Sequence, residues 1–113
     1  MQLYRKKILI DLDGVLNVYK GNYNPDEIPE IKEGAMEFIE KLNEKFDLYV
    51  FTTREKKLSE EWLKKYALNK YFKDVTNIKL PAYLYIDDRC ICFEGDYGKL
   101  LTEINNFEVF WKK

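Results

Sequence analysis

The chain has 113 residues, the size of one domain, and 19 Lys and Arg against 20 Asp and Glu leave a formal charge of −1. It has no histidine, which excludes Ser-His-Asp and Cys-His nucleophile systems and His-rich zinc sites. The balanced charge excludes a basic field strong enough to make nucleic acid the default partner. Catalysis in this chain must therefore draw on carboxylates, lysine, hydroxyls, backbone amides or a hard metal ion.

Lys7-Ile8-Leu9-Ile10 is a short apolar run ending at Asp11, the pattern of a fully buried strand. The stretch 17–30 is polar, carries Gly21, Pro25 and Pro29, lacks an apolar period and reads as a loop. From Lys32, Ala35, Phe38, Ile39, Leu42 and Phe46 fall at helical spacing, with Glu37, Glu40, Lys41 and Glu44 opposite. Leu48-Tyr49-Val50-Phe51 predicts a second buried strand, closed by Thr52-Thr53-Arg54. A second helix is expected over 57–68, with Leu58, Trp62, Leu63, Tyr66 and Ala67 on its apolar side. An edge strand is expected over 74–78, and a strong strand over 83–86 that runs into Asp87-Asp88. Residues 91–93 read as a small strand or turn, 97–104 as a short helix and 107–111 as a final strand.

Strands alternating with helices of about a dozen residues predict a doubly wound, three-layer, mostly parallel α/β sheet of Rossmann-like type in a single domain spanning 1–113. No stretch approaches the roughly 18 apolar residues of a membrane span. The basic start of the chain lacks a signal peptide's apolar region, so the expected compartment is cytoplasmic, with no membrane partner. Cys90 and Cys92, two apart in a presumed strand, are expected to be reduced, half-buried packing residues.

In open parallel sheets ligands bind beyond the carboxyl ends of the strands. Here those ends carry Asp11-x-Asp13-Gly14, Thr52-Thr53-Arg54 and Asp87-Asp88. Four carboxylates at adjacent strand ends repel one another and raise each other's pKa, so the cluster asks for a cation. Oxygen ligands without His or Cys suit Mg²⁺, which also takes waters and a substrate phosphate. A Thr52 hydroxyl and a Lys79 ammonium then have an anion to bind, and the pattern becomes that of phosphoryl transfer. A calcium loop opening at Asp11 is excluded, because the position that needs glycine holds Leu16.

Asp11-Leu12-Asp13-Gly14-Val15-Leu16, Thr52 after an apolar strand, Lys79 and Asp87-Asp88 together resemble the four signature segments of the haloacid dehalogenase-like superfamily. The resemblance runs from about Lys7 to Gly95 and extends to Lys79-x-Pro81-Ala82 and Phe93-x-Gly95-Asp96, similar to small uncharacterised members. It implies that Asp11 is the nucleophile forming an aspartyl phosphate, and that Asp13 is general acid and then base. It implies Mg²⁺ held by the Asp11 carboxylate, the Asp13 main-chain carbonyl and Asp87, with Asp88 as a further direct or water-mediated contact. Thr52 or Thr53 would give a hydroxyl to the phosphate, and Lys79 a charge, with Lys56, Lys57 and Lys73 as alternatives. Leu12 and Gly14 at the first turn, with Thr53 and Arg54 after the second strand, are the expected substrate contacts.

Only 38 residues separate Asp13 from Thr52, and 26 separate Thr52 from Lys79, so the cap domain usual in that superfamily does not fit. The expectation is a capless, Mg²⁺-dependent phosphatase. Its open site suits a phosphate on a macromolecule, nucleic acid included only as substrate, or a small substrate enclosed by a second copy in a homo-oligomer. Two other classes stay in view: a phospho-signalling receiver-type module and a catalytically silent phosphate-binding domain. Tyr19 and Tyr23 in the first loop are expected to pack on their own domain or to stack on substrate.

Overall fold

The structure, a computed structural model, describes residues 4–112. Residues 1–3 of the basic start read against a signal peptide lie outside the described residues. Among the described residues there are four strands, β1 (Lys7–Asp11), β2 (Asp47–Phe51), β3 (Phe72–Thr76) and β4 (Leu84–Ile86), and three α-helices, α1 (Ala35–Asn43), α2 (Lys56–Lys65) and α3 (Tyr97–Asn106).

The sheet is parallel throughout, in the order β3-β2-β1-β4, as the doubly wound α/β expectation requires. Ile8 and Ile10 of β1 lie beside Leu48 and Val50 of β2 in register. These alternate positions point to one face, where they join Leu12, Leu16, Ile39, Trp62, Leu63, Leu68 and Val75 in the core cluster. Helices α1 and α2 supply Ile39, Trp62 and Leu63, so both cover that face. Each fully buried Leu or Ile there contributes about 1.5–3 kcal/mol. Leu9, on the opposite face, is also fully buried. None of the α3 residues is buried, and Leu101 and Ile104 stand open to solvent. None of the helices is long and apolar enough to cross a membrane.

Several boundaries differ from the expected ones for local reasons. Helix α1 starts at Ala35 rather than Lys32, because Gly34 before it takes a left-handed backbone, φ 89°. Helix α2 stops at Lys65, and Ala67 at φ 58° turns the chain before the 3₁₀ turn Asn69–Tyr71. Strand β3 lies two residues earlier than expected. Leu48 pairs with Phe72 and Tyr49 with Asp74, so Lys73 is an extra residue whose polarity hides the strand's start.

The expected strand over 107–111 is absent. Phe110–Lys112 form a 3₁₀ turn instead, closed by Lys112 N–H on the Val109 carbonyl, and the Trp111 indole binds Asp88. Residues 91–93 are irregular, neither strand nor turn. Strand alternation therefore does not govern the cysteines: both are free thiols and exposed rather than half-buried.

The chain runs outward from β1 to β2 and β3, then returns to β4 on the other flank of β1. That reversal opens a crevice beyond the carboxyl ends of β1 and β4, where this class of sheet binds ligands.

Candidate metal and phosphate site

Asp11 is the last residue of β1, and Ile10 pairs with Ile86, so Asp87 and Asp88 leave β4 level with it. One carboxylate oxygen from each of Asp11, Asp87 and Asp88 lies within 4.8 Å of the others. Burial, a hydrogen bond to Asp88 and the charges of Asp87 and Asp88 push the Asp11 carboxyl up from 3.8 to about 8. The Leu12 N–H, donating to Asp11 Oδ1 at 2.9 Å, opposes this only in part.

The two neighbouring acids are held from outside the cluster. Asp87 Oδ1 accepts the Arg89 N–H at 2.9 Å, which fixes the turn after β4. Asp88 Oδ2 accepts the indole N–H of Trp111 at 2.6 Å. Gly14, at φ 85°, passes beneath this pair. A Cβ there would collide with Asp88 Oδ2 and lie 3.0 Å from Trp111 Nε1, so only glycine lets the turn after β1 approach.

Asp13 does not join the three acids. Strand β1 ends at Asp11 and residues 13–16 form a turn, so the same-face relation of residues two apart in a strand no longer applies. Its Oδ1 accepts from Asn17 Nδ2 at 3.0 Å and its Oδ2 from Arg54 Nε at 2.8 Å. The expected cluster of four carboxylates is thus a cluster of three beside an anchored fourth. With its side chain engaged, Asp13 has its main-chain carbonyl to offer a cation. Asn17 is 1% exposed, and its Oδ1 accepts the N–H groups of Gly14 and Tyr19, which ties the whole turn together.

Thr52 follows β2, is buried, and donates its N–H to Thr76 at 2.9 Å. Its Oγ1 accepts the Arg54 N–H at 3.2 Å, so the hydroxyl proton is left to donate to an incoming anion. Thr53 is exposed beside it. Arg54 is buried, with Nη1 on the Asn24 carbonyl at 2.8 Å and the Tyr23 ring 4.6 Å from its guanidinium carbon. Its Nη2 is buried without a hydrogen-bond partner.

Lys79 is turned elsewhere. Its Nζ lies 4.8 Å from the centre of the Tyr85 ring, and among the described residues no ion pair joins it to an acid. Tyr85 is itself anchored by its hydroxyl on the Leu80 carbonyl at 2.7 Å, which makes the ring a firm seat for the ammonium. Lys56 pairs with Asp74 at 2.8 Å; that contact holds Lys56 above its ordinary pKa and Asp74 below. Burial, then the charges of Asp87 and Asp88, push the nearby Cys90 thiol up, away from reactive thiolate.

Sequence reasoning misses Asn17 and Trp111 as site residues. Asn17 carries a signal in retrospect, a turn-forming amide four residues after Asp13. Trp111 carries none, because it comes from the far end of the chain. The first-loop tyrosines pack on their own domain: Tyr23 on Arg54, and Tyr19 edge-on to Trp111 with ring centres 5.4 Å apart.

No family model matches the chain, and no curated protein matches it. A solved structure of a conserved protein from Bacteroides thetaiotaomicron is similar, with 26% identity over 95% of each chain and a TM-score of 0.60. With the parallel sheet described above, that likeness establishes an α/β fold with a minimal Rossmann-like core.

Proposed function

We propose that this protein is a Mg²⁺-dependent phosphomonoester hydrolase of the haloacid dehalogenase-like superfamily, working through an aspartyl phosphate on Asp11. The observation that carries the reading is the convergence of Asp11, Asp87 and Asp88, with Asp11 pushed up to about 8. Such a group ionises at neutral pH only when a cation offsets the neighbouring charge. The donor set fits the ion: carboxylate oxygens, a free main-chain carbonyl at Asp13 and no nitrogen or sulfur ligand. Asp11, Asp87, Asp88 and the Asp13 carbonyl would hold Mg²⁺, which when bound supplies the positive charge that a transferring phosphoryl group needs.

The chain's own groups divide the remaining work. A carboxylate oxygen of Asp11 attacks phosphorus, and the ester oxygen opposite leaves with a proton from Asp13. Asp13 then accepts a proton from the water that attacks the phosphoryl group, which releases phosphate and restores Asp11. Arg54 and Asn17 hold the Asp13 carboxyl at both oxygens, so its orientation survives both steps. The free proton of Thr52 suits a phosphate oxygen. Lys79 enters this scheme only by swinging off Tyr85, and buried Arg54 is a fixed cation closer to the acids of the first turn.

Purified protein with Mg²⁺ is expected to hydrolyse p-nitrophenyl phosphate, and Asp11→Asn to abolish turnover. Unchanged turnover in that variant removes Asp11 as nucleophile.

A further inference from the structure

A cleft of about 520 Å³ opens beyond the carboxyl ends of β2 and β3, within the roughly 300–1,000 Å³ of small-molecule sites. Its lining includes Thr52, Thr53, Arg54, Thr76 and Asn77, with Val75 and Ile78 as its apolar members. Asp11 is in register with Phe51, and Phe51 with Thr76. At about 4.8 Å per strand, the cleft therefore extends roughly 5–10 Å along the sheet edge from the attacking carboxylate. Arg54 of that lining grips Asp13, because Arg54 Nε bonds Asp13 Oδ2. Asp13 does not line the cleft itself; the Arg54 side chain links the two.

The lining decides which leaving group fits. Three threonine hydroxyls and a carboxamide are hydrogen-bonding groups without charge. Lys56 and Asp74 neutralise each other at 2.8 Å, and Glu55 offsets the charge of Arg54 when Asp13 carries the proton it gives up. No net positive charge is left to hold a second phosphate or a polynucleotide backbone. No aromatic ring is among the described residues that line the cleft, so a nucleobase has nothing to stack on.

We propose that this cleft is the leaving-group subsite for a small, uncharged, hydroxyl-rich molecule, so that the substrate is the phosphate monoester of a polyol or monosaccharide. The assignment rests on the phosphatase reading above and narrows it from macromolecules to small metabolite-sized esters. Thr53, Thr76 and Asn77 meet the hydroxyls; a site built to bond them rejects analogues that lack them.

The test compares kcat/KM of the Mg²⁺-loaded protein for sorbitol 6-phosphate, glucose 6-phosphate, adenosine 5′-monophosphate, a 5′-phosphorylated oligonucleotide and p-nitrophenyl phosphate. The polyol and sugar esters are expected to exceed both nucleic-acid substrates by at least about tenfold. Asn77→Ala, a change at an exposed position, should cut the ratio of sorbitol 6-phosphate to p-nitrophenyl phosphate efficiency about five- to tenfold, mainly through KM. The ratio is taken within one protein, so a partly unfolded sample does not mimic the effect. Better turnover of the nucleotide or oligonucleotide, or an unchanged ratio in Asn77→Ala, overturns the subsite while leaving the phosphatase reading intact. No turnover of any ester overturns both.

Discussion

The indole N–H of Trp111 donates to Asp88 Oδ2 at 2.6 Å, joining the last turn of the described chain to the acidic pair after β4. The ring also lies against Gly21 and edge-on to Tyr19, so one side chain braces the acids and the first loop together. Groups that hydrogen-bond a metal-binding carboxylate typically set about 10–100-fold of metal affinity. Trp111→Phe keeps the ring and deletes the donor; Mg²⁺ affinity measured by calorimetry is expected to fall about tenfold. Equal affinity in the two proteins would show that Asp88 needs no brace.

Arg54 and Asp13 form the best-buried ion pair of the described residues, with the arginine side chain 1% exposed. Truncating it removes a charge partner and leaves Asp13 beside a void. Arg54→Ala is expected to lower stability by about 3 kcal/mol in urea denaturation. Arg54→Lys keeps the charge but loses the fork that reaches both Asp13 and the Asn24 carbonyl. It should fold, and its kcat should fall at least about tenfold; wild-type kcat would show that Asp13 needs no fixed orientation.

The Asp11 carboxyl gives the metal-free protein a pH dependence of known sign. Its folded pKa is about 8 against 3.8 for the ordinary group, so between these values the folded state holds a proton that the unfolded state has lost. Asp11 therefore contributes full stability below about pH 4, and that contribution drains away as pH rises to about 8. The slope is at most about 1.4 kcal/mol per pH unit. Thermal unfolding without metal should show it, Asp11→Asn should flatten it, and added Mg²⁺ should stabilise more at pH 8 than at pH 5. The same pH slope in wild type and Asp11→Asn contradicts the assignment.

Gly14 tests how closely the first turn must approach the second acidic segment. Alanine there meets both a left-handed backbone and the Asp88 carboxylate. Gly14→Ala is expected to cost about 1–2 kcal/mol in stability and to weaken Mg²⁺ binding. Loss of stability with normal Mg²⁺ affinity would separate the turn from the metal site.

The parts of the fold legible in the sequence are those where local pattern and burial agree. Lys7–Asp11 and Asp47–Phe51 are short apolar runs and central strands, so nothing competes with the pattern. Strand β3 is an edge strand with a bulge at Lys73, and its polar middle shifts the expected boundaries. Phe107–Trp111 has strand composition, yet its tryptophan goes to Asp88, a tertiary preference that no local window contains. In the site, adjacency at strand ends correctly brings Asp11 to Asp87 and Asp88. It fails for Asp13, because the turn after Asp11 sends that side chain to Arg54. Lys79 rests on the Tyr85 ring of β4, a cation–π contact that no local window contains.

The central claim is that Asp11 carries the phosphoryl group, and peptide mass spectrometry of an acid-quenched reaction tests it most directly. With Mg²⁺ and p-nitrophenyl phosphate, the account predicts one added phosphoryl mass on the peptide holding Asp11, sensitive to hydroxylamine and missing in Asp11→Asn. Turnover with that mass on Asp13, or elsewhere in the chain, would contradict it.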